Sequence, residues 1–265
     1  MRSLERAVNR WGTAARRAVL IVVVVHSLWP GAGRTQEVPQ PGIEEEFIKQ
    51  ERIYRSRGRD VPGSYVTDRG LSDYAELLPG GFCGALRGLR SADRWLDVGA
   101  GTGQAILDYY APADPAAPAQ NCVRPGERAR AVAISIEDRR TEEWRRQAAR
   151  LGDDRIRYLY GKRLSRYSSE ELGKFQIVTD VYGGFTYTTS LSRFVEKVLS
   201  LLEIGGAFYT LVPGVHLENG ENRLGKWLLT EVVDPASRPV KVCGWLRETG
   251  CVKVACESKS DWDWP

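Results

Sequence analysis

The sequence predicts an α/β fold: a doubly wound, mostly parallel sheet preceded by a helical cap. Three observations carry that prediction. Residues 94–107 read as a short apolar strand, a turn with glycines at 99, 101 and 103, and the start of a helix. Ala129 to Ile136 is small or apolar apart from Arg130 and Ser135, as a strand buried on both faces should be. Further strand-like runs, Arg155 to Tyr160 and Phe175 to Gly184, the latter apolar before Asp180, then alternate with helical patterns.

In chain order, residues 1–33 stand apart. They hold a basic stretch, an apolar run from Ala18 to Val25 that continues weakly to Trp29, and the small residues Gly31-Ala32-Gly33. This resembles a secretory signal peptide. The apolar run is too short to span a bilayer as a stable helix. Arg16-Arg17-Ala18-Val19-Leu20 weakly resembles a twin-arginine signal, a bacterial route for folded proteins. An amphipathic or disordered tail, or a start codon placed too early, are the competing readings. The first reading makes the protein exported or membrane-anchored through residues 1–33, with no other membrane contact; the miscalled start makes it cytoplasmic.

At 265 residues the chain suits one large domain with an appendage, and 42% hydrophobic content with eight tryptophans supplies a core. Arg2, Arg6, Arg10, Arg16 and Arg17 against Glu5 account for the whole net charge of +4, so the body is neutral. No nucleic-acid partner is indicated on that ground. Cys83, Cys122, Cys243, Cys251 and Cys256 lack metal-ligand spacing, and His26 and His216 are the only histidines, so no metal site is expected. In an exported chain a pair among the last three cysteines forms a disulfide; in a cytosolic one all five are buried thiols.

Residues 34–42 are a Pro/Gly/Gln linker. Ile43 to Arg57 reads as a charged helix with Ile43, Phe47, Ile48 and Tyr54 as its apolar positions. Residues 65–74 form a loop entering a second helix, capped by Ser72 or Asp73. Gln104 to Tyr110 is a short helix that residues 111–127, with four prolines and Gly126, cannot continue; they read as a surface insertion. The helix from Arg139 to Leu151 carries Trp144, Ala148 and Leu151 on one side and stops at Gly152. Thr186 to Leu202 is amphipathic, and Leu202-Glu203-Ile204-Gly205-Gly206 turns into a fifth apolar strand. A helix around 238–249 and a strand at 251–258 close the chain. The division is a leader (1–33), a linker with helical cap (34–90) and the α/β domain (91–265).

The glycine turn holds the chemistry. Glycine lets the backbone turn tightly and approach a ligand, and the following helix directs free N–H groups into the turn. The dinucleotide fingerprint Gly-x-Gly-x-x-Gly would place its third glycine at Gln104, which disfavours a nicotinamide oxidoreductase. The string Asp97-Val98-Gly99-Ala100-Gly101-Thr102-Gly103 instead resembles the cofactor turn of class I S-adenosylmethionine-dependent methyltransferases. A glycine-rich turn without a ligand is the alternative.

The resemblance implies a Rossmann-like sheet with a reversed last strand and S-adenosyl-L-methionine as cofactor. It implies cofactor contacts at Asp97, Gly99, Ala100, Gly101, Gly103 and Asp180. At the end of the second strand the family's ribose-binding acid corresponds to Ser135 or Glu137, with Glu137 favoured; capping of the next helix by Glu137 and Asp138 is the other reading. Gly161-Lys162-Arg163 stands where the family often has an acid near adenine, which puts that contact in doubt. Asp180 is the candidate base for a hydroxyl or amine acceptor, or else it caps the next helix. Tyr182 and Tyr187 are candidate pocket walls, and Tyr65, Arg69 and Tyr74 candidate lid residues, or else packing on the sheet edge. The implied function is methyl transfer to an unidentified, small-molecule acceptor. A catalytically inactive fold relative and an exported interaction module are the competing functions.

Overall fold

A computed structural model of the chain describes residues 18–24, 68–111, 118–181, 183–185, 191–211, 215–216, 221–224, 227–228, 242–248, 250 and 252–258. The predicted helix at 43–57 and the linker lie outside these residues, as do Tyr65, Tyr182 and Tyr187.

Strand β1 is Ala18–Val24. The cap follows as helices α1 (Leu71–Leu77) and α2 (Gly81–Gly88). Then come β2 (Arg94–Val98), α3 (Gln104–Tyr110), a 3-10 turn at Pro118–Cys122, β3 (Arg130–Ile134), α4 (Glu142–Leu151) and β4 (Ile156–Leu159). A second 3-10 turn at Leu164–Arg166 leads to α5 (Ser169–Leu172), β5 (Phe175–Val181), α6 (Leu191–Leu201) and β6 (Leu202–Leu211). Short strands β7 (Val215–His216), β8 (Glu221–Leu224) and β9 (Trp227–Leu228) pair antiparallel in a small separate sheet. Helix α7 (Val242–Glu248) and strand β10 (Val252–Ser258) follow.

The main sheet has seven strands in the order β10-β1-β6-β5-β2-β3-β4, and every neighbouring pair is parallel. This is the predicted α/β, Rossmann-like class. One face packs on α1, α2, α3 and Trp144 of α4, around Trp95, Ile177 and Tyr209. The other packs on Leu172 of α5, Phe194 and Val198 of α6 and Leu246 of α7, around Leu96, Val178 and Phe208. From β2 the chain winds to β3 and β4 on one side, then to β5 and β6 on the other. The strand order therefore reverses at β2, and ligands bind in such sheets outside the strand ends at that reversal.

One expectation is corrected. The last strand is not reversed: β10 is parallel to β1, which is parallel to β6. A crossover through α7 returns the chain in the same direction, whereas reversal needs a hairpin. Residues 18–24, read as part of a leader, form an interior strand between β6 and β10. Seven apolar residues rich in β-branched valine satisfy the pattern of a doubly buried parallel strand as well as that of a signal segment. Among the described residues no helix is long and apolar enough to cross a membrane.

Four cysteines are paired. Cys83 of α2 bonds Cys122 in the 3-10 turn, and Cys243 of α7 bonds Cys256 of β10. The second bridge is one of the pairs allowed by the last three cysteines. The first joins the cap to the insertion, which spacing alone did not indicate.

Candidate functional site

The glycine turn follows β2 directly. Gly99, Gly101 and Gly103 have φ of +76°, +56° and +82°, in the left-handed region. The amides of Gly99 and Ala100 both donate to the Ile134 carbonyl, at 2.9 and 3.1 Å, so the turn is anchored on the end of β3. Two of the glycines are also required by packing. A Cβ at Gly99 would lie 2.5 Å from the Gly183 Cα, and one at Gly103 would enter the Trp144 ring. Trp144 in turn meets Tyr158 edge-on at 5.2 Å, and the Tyr158 hydroxyl donates to the Gly101 carbonyl.

Asp97 precedes this turn and is fully buried. The Tyr74 hydroxyl, from the cap, donates to both of its oxygens, at 3.0 Å to Oδ1 and 3.1 Å to Oδ2. The Thr179 hydroxyl donates to Oδ1 at 2.8 Å, and Thr179 itself accepts from Trp95 Nε1 at 2.8 Å. Pairing register explains this grouping: Asp97 lies opposite Thr179, and Trp95 two residues earlier shares its face. Burial pushes the Asp97 carboxyl up to about 7, against the pull of the Thr179 and Tyr74 hydrogen bonds. Tyr74 is raised well above an ordinary phenol, first by burial and then by the charge of Asp97.

Asp180 is arranged differently. It pairs in register with Val98 and Thr210, so its side chain leaves the sheet on the face opposite Asp97. Its Oδ1 accepts from the Gly183 amide at 2.8 Å and its Oδ2 from the Phe185 amide at 2.9 Å. Fully buried, it holds the loop after β5 in shape. Burial raises it to about 7, with the neighbouring Asp97 charge adding and the two amides opposing.

At the end of β3, Ser135 is buried, while Glu137 lies past the strand with its side chain 18% exposed and 3.2 Å from Arg139. Asp138 pairs with Arg140 through Nε at 2.8 Å and Nη2 at 2.7 Å. Neither acid caps α4; Thr141 does, accepting from the Trp144 amide at 3.1 Å. Beyond β4, Lys162 lies 5.0 Å over the Tyr167 ring and 3.6 Å from Glu171, and Arg140, before α4, lies 5.2 Å over Tyr160.

The structure thus brings Asp97, the three glycines and Tyr74 together, with Tyr74 bound to Asp97 rather than standing as a free lid residue. Asp180 and Glu137 lie at neighbouring strand ends with partners of their own. Trp95, Thr179, Trp144 and Tyr158 complete the arrangement and were not singled out from sequence. The spacing of 95 and 97 on one strand face was the available signal for Trp95; the others depend on pairing between distant segments.

No family model matches the chain, and no curated protein matches it. Among solved structures it is similar to YjhP from E. coli, at 18% identity over 61% of this chain and 55% of that one, with a TM-score of 0.39. It is similar to a possible exported protein from Bordetella parapertussis at 18% identity, covering 79% and 67% of the two chains, with a TM-score of 0.34. For TrmN from Thermus thermophilus the identity is 18%, the coverage 80% and 70%, and the TM-score 0.32. The chain spans about 55% of the length of YjhP. No residue role is taken from these likenesses. One expectation is corrected: TrmN is a tRNA methyltransferase, so the absence of a nucleic-acid partner no longer stands. Net charge sums over a whole chain, whereas a nucleic-acid contact is local.

Proposed function

We propose that the chain binds S-adenosylmethionine at the carboxyl end of β2 and belongs functionally with methyltransferases. The observation that supports this most is Asp97. It is a fully buried carboxyl held by a phenol and a hydroxyl, both neutral, beside a left-handed glycine turn. A buried carboxylate with neutral donors gains most from a cationic ligand group, because its charge is otherwise uncompensated. An amino-acid ammonium is such a group, and the donor set fits it. Glu137, partly exposed past β3, is the acid available to a ribose diol.

The bound cofactor supplies an electrophilic methyl group on its sulfonium. The chain's own part is positional: the turn gives close backbone approach, Asp97 holds the ammonium, and the loop fixed by Asp180 shapes the neighbouring wall. Asp180 is not carried forward as a base, since both its oxygens already accept amide protons. That feature favours a second reading, a fold relative that binds the cofactor without turnover. The Lys162-Arg163 pair where an adenine-binding acid is usual favours it too.

Calorimetric titration with S-adenosylhomocysteine tests the reading. Micromolar binding is expected, weakened at least tenfold in Asp97→Asn, which keeps the side-chain shape. Absence of binding to the wild-type chain overturns it. Once binding is established, release of S-adenosylhomocysteine from S-adenosylmethionine in the presence of acceptor pools separates the enzyme from the silent relative.

A further inference from the structure

Tyr74 belongs to the cap, yet its hydroxyl is the one group that touches both oxygens of Asp97 among the described contacts. A carboxylate oxygen offers two acceptor positions. Among the described residues, Oδ1 has both filled, by Tyr74 and Thr179, while Oδ2 receives Tyr74 alone. We propose that Tyr74 is a positioning residue that turns the Asp97 carboxylate so that Oδ2 presents its remaining acceptor position to the cationic group of the ligand, coupling cap placement to cofactor affinity. This rests on the cofactor reading above.

The cap is held firmly enough to do this. The Leu71 amide, at the start of α1, donates to Asp108 Oδ2 of α3 at 2.8 Å, and the Gly70 amide to Asp73 Oδ2 at 2.6 Å. The Tyr74 ring lies 6.3 Å from Phe82, which meets Tyr209 edge-on at 5.3 Å, so the phenol sits in an aromatic row between cap and sheet. Cys83 of α2 is bonded to Cys122. The phenol therefore moves only when the cap moves. The charged and titratable groups that act on this pair are Arg69, just before α1, and, from the opposite face of the sheet, Asp180 on β5; β3 places Ala133 beside Asp97.

The test is the pH profile of S-adenosylhomocysteine affinity in the full chain, measured between pH 6 and 8.5 on wild type and Tyr74→Phe. In the wild type, affinity is expected to rise as Asp97 ionises. Removing a donor from the ionised carboxylate moves the midpoint up by about one pH unit and lowers affinity at pH 7 roughly five- to tenfold. The phenylalanine keeps the ring, and circular dichroism and melting confirm the fold. An unchanged midpoint and affinity in Tyr74→Phe overturns the role of Tyr74 alone. A uniform loss at every pH with an unmoved midpoint makes Tyr74 a packing residue and also overturns it. No binding by the wild type at any pH removes the cofactor reading and this inference together.

Discussion

Asp97 and Asp180 sit one register step apart on neighbouring strands, both fully buried and both raised to about 7, yet they are held in opposite ways. Asp180 is satisfied by backbone amides three and five residues downstream. Asp97 is satisfied by side chains 23 residues before it and 82 after it. The local arrangement shapes one loop and needs nothing else from the chain. The long-range one gathers the cap, β2 and β5 around a single carboxylate, so whatever engages Asp97 is sensed by all three. Of the two acids, Asp97 is the one we propose as the cofactor contact, and its partners come from distant segments.

The comparison breaks most visibly at Asp180. Asp180→Ala leaves two buried amides without acceptors, at about 1–3 kcal/mol each, so urea unfolding should show a loss of about 2–6 kcal/mol. A loss below 1 kcal/mol would mean that water satisfies the loop and that the carboxylate is available for other work. The next effect is on pH dependence. The folded state binds the Asp97 proton more tightly than the unfolded chain does. Its stabilising contribution is therefore complete below about pH 4 and is lost as pH rises through about 7. Between pH 4.5 and 7.5 this amounts to about 3 kcal/mol. Comparing Asp97→Asn with wild type across that range isolates it: the asparagine variant should show a flatter profile by that amount. Equal slopes would place the Asp97 titration at its ordinary acidic value. The smallest effect is Thr179→Val, which removes a donor to Asp97 and the acceptor of Trp95 Nε1. A loss of about 1–3 kcal/mol, smaller than for Asp180→Ala, is expected on chemical denaturation; tryptophan fluorescence reports whether the Trp95 environment changes.

Local features were legible in the sequence. The helix predicted at Gln104–Tyr110 is observed with those bounds, and the strand predicted within Phe175–Gly184 starts at Phe175 and ends at Val181. Both are set by nearby signals: Gly103 before the helix, and the apolar, β-branched-rich residues before Asp180 in the strand. The glycine turn was legible for the same reason. The direction of β10 was not, because parallel and antiparallel edge strands share one hydrophobic pattern and differ only in the connection leading to them. Nor was the sheet position of Ala18–Val24, whose composition serves a leader and a buried strand equally. Tyr74 was noted as a candidate lid residue, but its bond to Asp97 depends on how the cap lies on the sheet, and no spacing along the chain encodes that. Glu137 and Asp138 read as possible caps; Thr141 took that role because α4 begins three residues later than the pattern indicated.

The bridge between Cys83 and Cys122 encloses β2, the glycine turn and α3 in one covalent ring. A protease that cuts once inside it, at exposed Arg87 or Arg90 for instance, produces two polypeptides that remain one molecule. The nick opens the ring without releasing either end, so the cap and the insertion stay attached on both sides of Asp97. A second cut inside the ring removes only the piece between the cuts; a reductant is needed to break the last covalent link between the halves.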